Sequence, residues 1–229
     1  MIRRILFLFN SLLLFFKKNR KKKFKNFETI KINVGSGLNV VPGWINIDGN
    51  INLLFKKFPK FFLKIIYKTT GVKKWFSEDY FIKTLKENYF IHHNIRYGLP
   101  LPDESVDYIY TSHFLEHIYK DEAEFVIKEF YRILKKGGKV RVVVPDLDYV
   151  IDLLNKGKKE EGLSYFFPES RADEFSRHRY LYDFEMIKNL LKRAGFNSIV
   201  KRNFREGDFP DVHLLDNRPK DSLHCEAVK

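Results

Sequence analysis

The stretch "KVRVVVP" (139–145) constrains the fold most tightly. Its near-continuous β-branched run lacks the alternation of a half-exposed strand. It reads instead as a central parallel strand covered on both faces. "KINVG" (31–35), "GWINID" (43–48), "VDYIYTS" (106–112), "SIVKRNF" (198–204) and "SLHCEAV" (222–228) also read as strands. Between them, Ile118, Phe125, Val126, Phe130, Ile133 and Leu134 recur at helical spacing across 116–134, with Gly137-Gly138 as the expected stop. "FEMIKNLLKRAGF" (184–196) is a second amphipathic helix, closed by Gly195. Strand and helix in alternation predict an α/β fold, with a mostly parallel central sheet and helices on both faces. Ligands of such sheets sit beyond the carboxyl ends of the strands, where the strand order reverses.

The 229 residues suffice for one elaborated domain with a full core. The expected division is an N-terminal arm, 1–26, and a domain, 27–229, with a basic insertion at about 51–90. A single cysteine, Cys225, excludes a disulfide framework and suits a reducing, cytoplasmic setting. No Cys/His group has zinc-ligand spacing, so no metal is expected, and His92-His93 reads as a polar loop pair. The net charge of +13 is concentrated: nine Lys/Arg and no acid in 1–26, and nine Lys against three acids in 51–90. The remaining body is near neutral, which argues against a domain built to grip nucleic acid and for local anionic contacts.

Ile5 to Phe16 is apolar apart from Asn10 and Ser11. That run of about twelve residues falls short of the roughly twenty of a spanning helix. No small-x-small cleavage site follows it, and the polybasic run Lys17 to Lys25 is wrong for a signal peptide. An anchor lying on an anionic membrane surface is the expectation, giving a peripheral protein. Residues 51–76 repeat the apolar-basic theme as a second membrane-facing element, a lid, or a helical pair packed on the core.

Several positions carry chemistry. Gly35-Ser36-Gly37 directly follows the first strand, where glycines let the backbone turn and approach a ligand. Val40 stands where a dinucleotide fingerprint needs its third glycine, and Pro42-Gly43 break any long helix after the turn. Asp48 closes the second strand, where a carboxylate can accept from both ribose hydroxyls; the alternative is a turn with Gly49-Asn50. His113, Glu116 and His117, at i, i+3 and i+4, share a face if a helix starts there, and could supply a general base or brace the helix start. Asp146 is either a reactive carboxylate at a strand's carboxyl end or the N-cap of a helix over Leu147 to Leu154. His178, between Arg177 and Arg179, could approach from the loop before the 184–196 helix, with a phosphate or carboxylate of a substrate as partner for the arginines.

"GLPLPDESVDYIYTSHFLEHI" (98–118) followed by "LKKGGKVRVVVPD" (134–146) resembles the class I S-adenosylmethionine-dependent methyltransferases. More narrowly, it resembles methyltransferase-domain proteins linked to surface-polysaccharide and glycolipid assembly. The resemblance spans roughly 30–50 and 90–229. It implies a Rossmann-like class I fold and S-adenosylmethionine (SAM) as cofactor. It places Gly35, Ser36 and Gly37 along the methionine end and Asp48 on the ribose. Asn94 stands where many members have an acid on the adenine amine, though an amide can still pair there. Ile95 would flank the ring, and Thr111, Ser112 and His113 would border the methionine group. The implied reaction is O-methylation of a glycan, a lipid-linked glycan or a related small acceptor. "TSHF" stands where amine-methylating nucleic-acid enzymes carry an Asn/Asp-Pro-Pro-aromatic block. A catalytically silent, membrane-docked SAM-binding scaffold and an RNA methyltransferase are the other two readings.

Overall fold

The computed structural model describes residues 2–18, 22–24, 27–167 and 177–229. In chain order, helix α1 (Ile2–Lys17) precedes strands β1 (Lys31–Val34) and β2 (Ile45–Asp48). Helices α2 (Lys60–Thr69) and α3 (Glu78–Glu87) lead to β3 (Tyr89–His92) and β4 (Val106–Ser112). Then follow α4 (Lys120–Ile133), β5 (Leu134–Pro145), α5 (Leu147–Asn155), α6 (Lys159–Ser164) and α7 (Phe184–Ala194). The chain closes with β6 (Asn197–Arg202), α8 (Val212–Leu215) and β7 (Ser222–Val228).

The strands form one sheet in the order β3-β2-β1-β4-β5-β7-β6. β3 through β5 pair in parallel, and β7 runs antiparallel to both β5 and β6. The order reverses between β1 and β4, which sets a crevice beyond their carboxyl ends. The 139–145 run is buried as its composition demands, but its two faces differ. Val140, Val142 and Val144 join the main core with Ile109, Phe130 and Leu190. Val143 turns to the opposite face and packs with Trp44, Tyr110 and Phe209.

Arg141 is the exception within the run. Its guanidinium is fully buried and donates to Asp216 and Glu226. A buried charge is tolerated only when it is paired and hydrogen-bonded, as here.

Four sequence readings change. β3 was not expected; it is a four-residue edge strand sheltered by the segment before it. α4 starts at Lys120 rather than Glu116, because Leu115–His117 close into a single 3₁₀ turn. It also ends earlier, at Ile133, so Gly137-Gly138 open β5 instead of stopping the helix. There the amide of Gly137 donates to the Lys229 carbonyl, with Gly137 at φ +75°. The arm is docked rather than loose: Asn10 and Leu14 of α1 are buried. Asn10 Nδ2 donates to the Gly49 carbonyl at 2.9 Å.

Residues 51–87 fold into two 3₁₀ turns and two helices around a small core of Leu53, Leu63, Phe81, Ile82 and Leu85, joined by Leu38 and Phe90. The helical pair packs on this core and leaves Phe61, Phe62 and Ile65 exposed. Among the described residues no helix is long and apolar enough to cross a membrane.

Candidate active site

Two clusters lie beyond the carboxyl ends of the central strands. The first is the glycine loop with Asp48. β1 ends at Val34, and the amide of Gly35 donates to the Ile47 carbonyl at 2.9 Å, tying the loop to β2. Gly35 has φ +70°, and a Cβ there would lie 2.4 Å from the Phe114 ring. Gly37 has φ +52°, and a Cβ there would meet nothing within 4 Å. Packing thus demands the first glycine, whereas at Gly37 only the left-handed backbone does.

The Gly37 amide donates to Asp48 Oδ2 at 2.8 Å, and the Asn50 amide donates to Oδ1 at 2.7 Å. Burial raises the Asp48 pKa above the usual carboxylate value, opposed by these two amides. Each oxygen keeps lone pairs for hydroxyl donors. Ser36 is buried within the turn, where its carbonyl accepts from the Asn39 amide.

The remaining expected cofactor residues divide. Thr111 is fully buried, and its hydroxyl donates to the Val34 carbonyl, bracing β4 on β1. Ser112 pairs with Val143 at the end of β4. Asn94 caps the 3₁₀ turn Ile95–Tyr97, its Oδ1 accepting from the Arg96 amide. Ile95 is 4% exposed and packs into the main core, so its side chain is committed there rather than to a ring outside it.

The second cluster is built on the turn after β4. His113 sits at φ +49°, a left-handed conformation that bends the chain sharply away from the sheet. Within the 3₁₀ turn that follows, the Glu116 side chain is 0% exposed, and neither of its oxygens accepts a hydrogen bond from the described residues. His113 Nδ1 lies 3.3 Å from Glu116 Oε1, and His117 Nε2 lies 3.7 Å from it. His113 Nε2 and the Ser222 hydroxyl are hydrogen-bonded at 2.9 Å.

His178 arrives from far along the chain. The amides of Arg179 and Tyr180 donate to the Glu116 carbonyl, and Arg179 also donates to the His117 carbonyl and the Tyr119 hydroxyl. These bonds bring the rings of His117 and His178 to 5.1 Å between centroids. Burial lowers the His178 pKa and favours its neutral form. Tyr182 adds a buried hydroxyl without a partner, its pKa raised first by burial.

Asp146 takes its other expected role. Its Oδ1 accepts from the Asp148 amide as the N-cap of α5, and its Oδ2 pairs with Lys201 at 3.6 Å. Both oxygens are engaged away from the histidines. Ser222, Tyr165 and Tyr182 were not found from the sequence, because no local spacing links them to "SHFLEH". A cavity of about 350 Å³ adjoins this cluster, lined by Tyr149, Tyr165, Asn217, Arg218, Pro219, Lys220 and Asp221. It is joined to the cluster through Tyr165, whose carbonyl accepts from His178 Nδ1, and through Asp221, next to Ser222.

The family described as "Methyltransferase domain" matches residues 60–142. The match opens at α2, within the segment read as an insertion, and stops inside β5. Among solved structures, a SAM-dependent methyltransferase from Archaeoglobus fulgidus superposes with TM-score 0.52 at 15% identity, covering 98% of this chain and 94% of its own. A SAM-dependent methyltransferase from Thermotoga maritima gives TM-score 0.51 at 15% identity, covering 99% and 94%. At these identities the likeness shows the fold. No curated protein matches the sequence.

The class I fold and the match of residues 60–142 to a methyltransferase domain support a SAM-dependent methyltransferase. The same likeness supports SAM as the cofactor. The glycine loop fits that group: the space over Gly37 is one that a Cβ would fill, and Asp48 faces it with spare lone pairs.

Proposed function

We propose that the enzyme methylates a hydroxyl group on a polar, glycan-like acceptor, with His113 as general base and Glu116 as its supporting carboxylate. One observation carries this reading: a fully buried carboxylate without a hydrogen bond stands 3.3 Å from His113, whose far nitrogen already meets a hydroxyl, that of Ser222. A carboxylate behind an imidazole fixes its tautomer and stabilises the imidazolium formed when the ring takes a hydroxyl proton. When bound, SAM supplies an electrophilic methyl carbon, to which the acceptor oxygen bonds as the carbon–sulfur bond breaks and its electron pair stays on sulfur.

The chain's own work is alignment and proton removal, and alignment alone accounts for much of the gain in such a displacement. The cavity beside the cluster supports a glycan-like acceptor. Tyr149 and Tyr165 offer apolar ring faces, Asn217 and Asp221 offer polar partners, and Arg218 and Lys220 suit an anionic substituent. The test is transfer of labelled methyl groups to host glycan and lipid extracts. His113→Gln is expected to lower kcat at least about 100-fold, within the usual range for a general base, while SAM affinity stays unchanged. Wild-type kcat in His113→Gln would refute the base, and label appearing only in RNA or in amines would refute the acceptor class.

The reading includes docking on an anionic membrane surface. Leu8, Phe9, Leu12, Phe15 and Phe16 of α1 are exposed although Asn10 and Leu14 pack inward. α2 likewise buries Leu63 and exposes Phe61, Phe62 and Ile65 among Lys60, Lys64 and Lys68. Apolar side chains flanked by lysines suit the headgroup boundary of an anionic bilayer. Flotation with phosphatidylserine vesicles, lost at high salt and in Phe61→Ser/Phe62→Ser, is the expected result. Equal recovery with neutral vesicles would refute the electrostatic part.

A further inference from the structure

We propose that Glu116, His117 and His178 bind one divalent transition cation of the zinc type, and that this cation seats the acceptor oxygen beside His113. The seating role rests on the O-methylation reading; the binding itself does not. Each of the three residues offers a ligand atom, and these atoms lie within 4.8 Å of one another. Ligands about 2.1 Å from a shared tetrahedral zinc lie about 3.4 Å apart. The 3.7 Å between His117 Nε2 and Glu116 Oε1 is close to that spacing already.

Two further observations point to a ligand. Both Glu116 oxygens are buried without a hydrogen bond among the described residues, a costly state that a cation would relieve. Both imidazoles are also held in the tautomer that a metal requires. His117 Nδ1 donates to the Arg177 carbonyl at 3.2 Å, and His178 Nδ1 donates to the Tyr165 carbonyl at 2.7 Å. Each ring therefore presents the lone pair of its Nε2, the arrangement typical of metal-ligating histidine. His113 Nδ1 is placed to orient Glu116 from behind.

Two nitrogens and one carboxylate oxygen favour zinc, cobalt or iron(II) over magnesium, which prefers an all-oxygen shell. Three protein ligands leave positions open, as in catalytic rather than structural sites. An acceptor oxygen bound there becomes more acidic and gives up its proton more readily. No local spacing signals this grouping, since His178 is brought to the other two by the bonds of Arg179 and Tyr180 to the Glu116 carbonyl.

The test uses full-length, untagged, metal-stripped protein. Zinc and cobalt are titrated by calorimetry, and metal retained after gel filtration is counted by mass spectrometry. One equivalent is expected, with cobalt giving the visible bands of a low-coordinate nitrogen–oxygen site and magnesium failing to compete. His117→Asn and His178→Asn should each weaken binding at least about tenfold, while SAM still binds and the thermal melt stays cooperative. Absence of stoichiometric binding by the wild type, or binding that survives both substitutions, overturns the metal site. If one equivalent of zinc binds but no hydroxyl acceptor is methylated, the site stands and the O-methylation reading falls. Methyl transfer to a hydroxyl by metal-free protein, indifferent to chelator, overturns the seating role and leaves the O-methylation reading standing.

Discussion

Gly35 and Gly37 are two residues apart, share a left-handed backbone, and should respond to alanine in opposite ways. At Gly37 the added Cβ meets no atom within 4 Å, so the fold bears only the left-handed penalty, about 1–2 kcal/mol. The Gly37 amide survives in alanine, so its bond to Asp48 persists and the loop stays pinned. Yet the methyl group enters the space assigned to the cofactor. SAM affinity should fall at least tenfold, about 1.4 kcal/mol, in a protein destabilised by no more than that left-handed penalty.

Gly35→Ala adds a Cβ 2.4 Å from Phe114 at φ +70°, combining the left-handed penalty with overpacking. Overpacking costs about 1–3 kcal/mol, so the total destabilisation is about 2–5 kcal/mol. The Gly35→Ala/Phe114→Ala double variant should be less destabilised than the sum of the two single changes, because removing the ring removes the clash. Calorimetric SAM titration and urea unfolding on the wild type and all four variants give both readouts. If Gly37→Ala binds SAM as the wild type does, the open cradle is not the cofactor's. If the double variant is additive, the close approach of Phe114 is not the reason for the glycine.

Other expectations concern stability and pH. Asp216→Ala removes the partner of two Arg141 bonds and leaves that buried guanidinium with Glu226 as its only side-chain partner among the described residues. Breaking a buried pair typically costs about 3–5 kcal/mol, and a loss under about 1 kcal/mol in urea unfolding would show the pair to be dispensable. His92 donates to Asn10 Oδ1, accepts from Lys17 Nζ, and has its pKa pushed down to about 4, chiefly by burial. Between that value and the usual value of about 6.5 the unfolded chain holds a proton that the folded chain does not. Stability should therefore decline as pH falls from about 6.5 towards about 4, and less steeply in His92→Gln, measured by urea midpoints; parallel curves would exclude His92 as the cause.

Much of the architecture was legible because it rests on local pattern. The buried run 139–145, the alternation of 106–112 and the helix closed by Gly195 each depend on short-range periodicity. The glycine loop and Asp48 were legible for the same reason: a turn after one strand and an acid at the end of the next are local features, and the structure joins them through the Gly37 amide. Features set by distant partners were not legible. Arg141 looks like an intrusion in an apolar strand until Asp216 and Glu226 arrive from the far end of the chain.

The histidine cluster was half visible. His113 and Glu116 share a turn, but the expected helix gave the wrong geometry, since the left-handed His113 and a 3₁₀ turn bring them together instead. Ser222, Tyr165 and Tyr182 carried no local signal. Cys225 illustrates the converse: it is a buried core residue with a thiol pushed up to about 12 by burial, so its chemistry is closed off by packing.

The most direct measurement is methyl transfer itself, from isotopically labelled SAM to host glycan and glycolipid extracts, with the product hydrolysed and the labelled atom identified by mass spectrometry. The account predicts label in a methyl ether on a sugar hydroxyl, made by the wild type and nearly abolished in His113→Gln and Glu116→Gln that still bind SAM. Label on nitrogen, or tight SAM binding with no transfer to any hydroxyl-bearing acceptor, would contradict it.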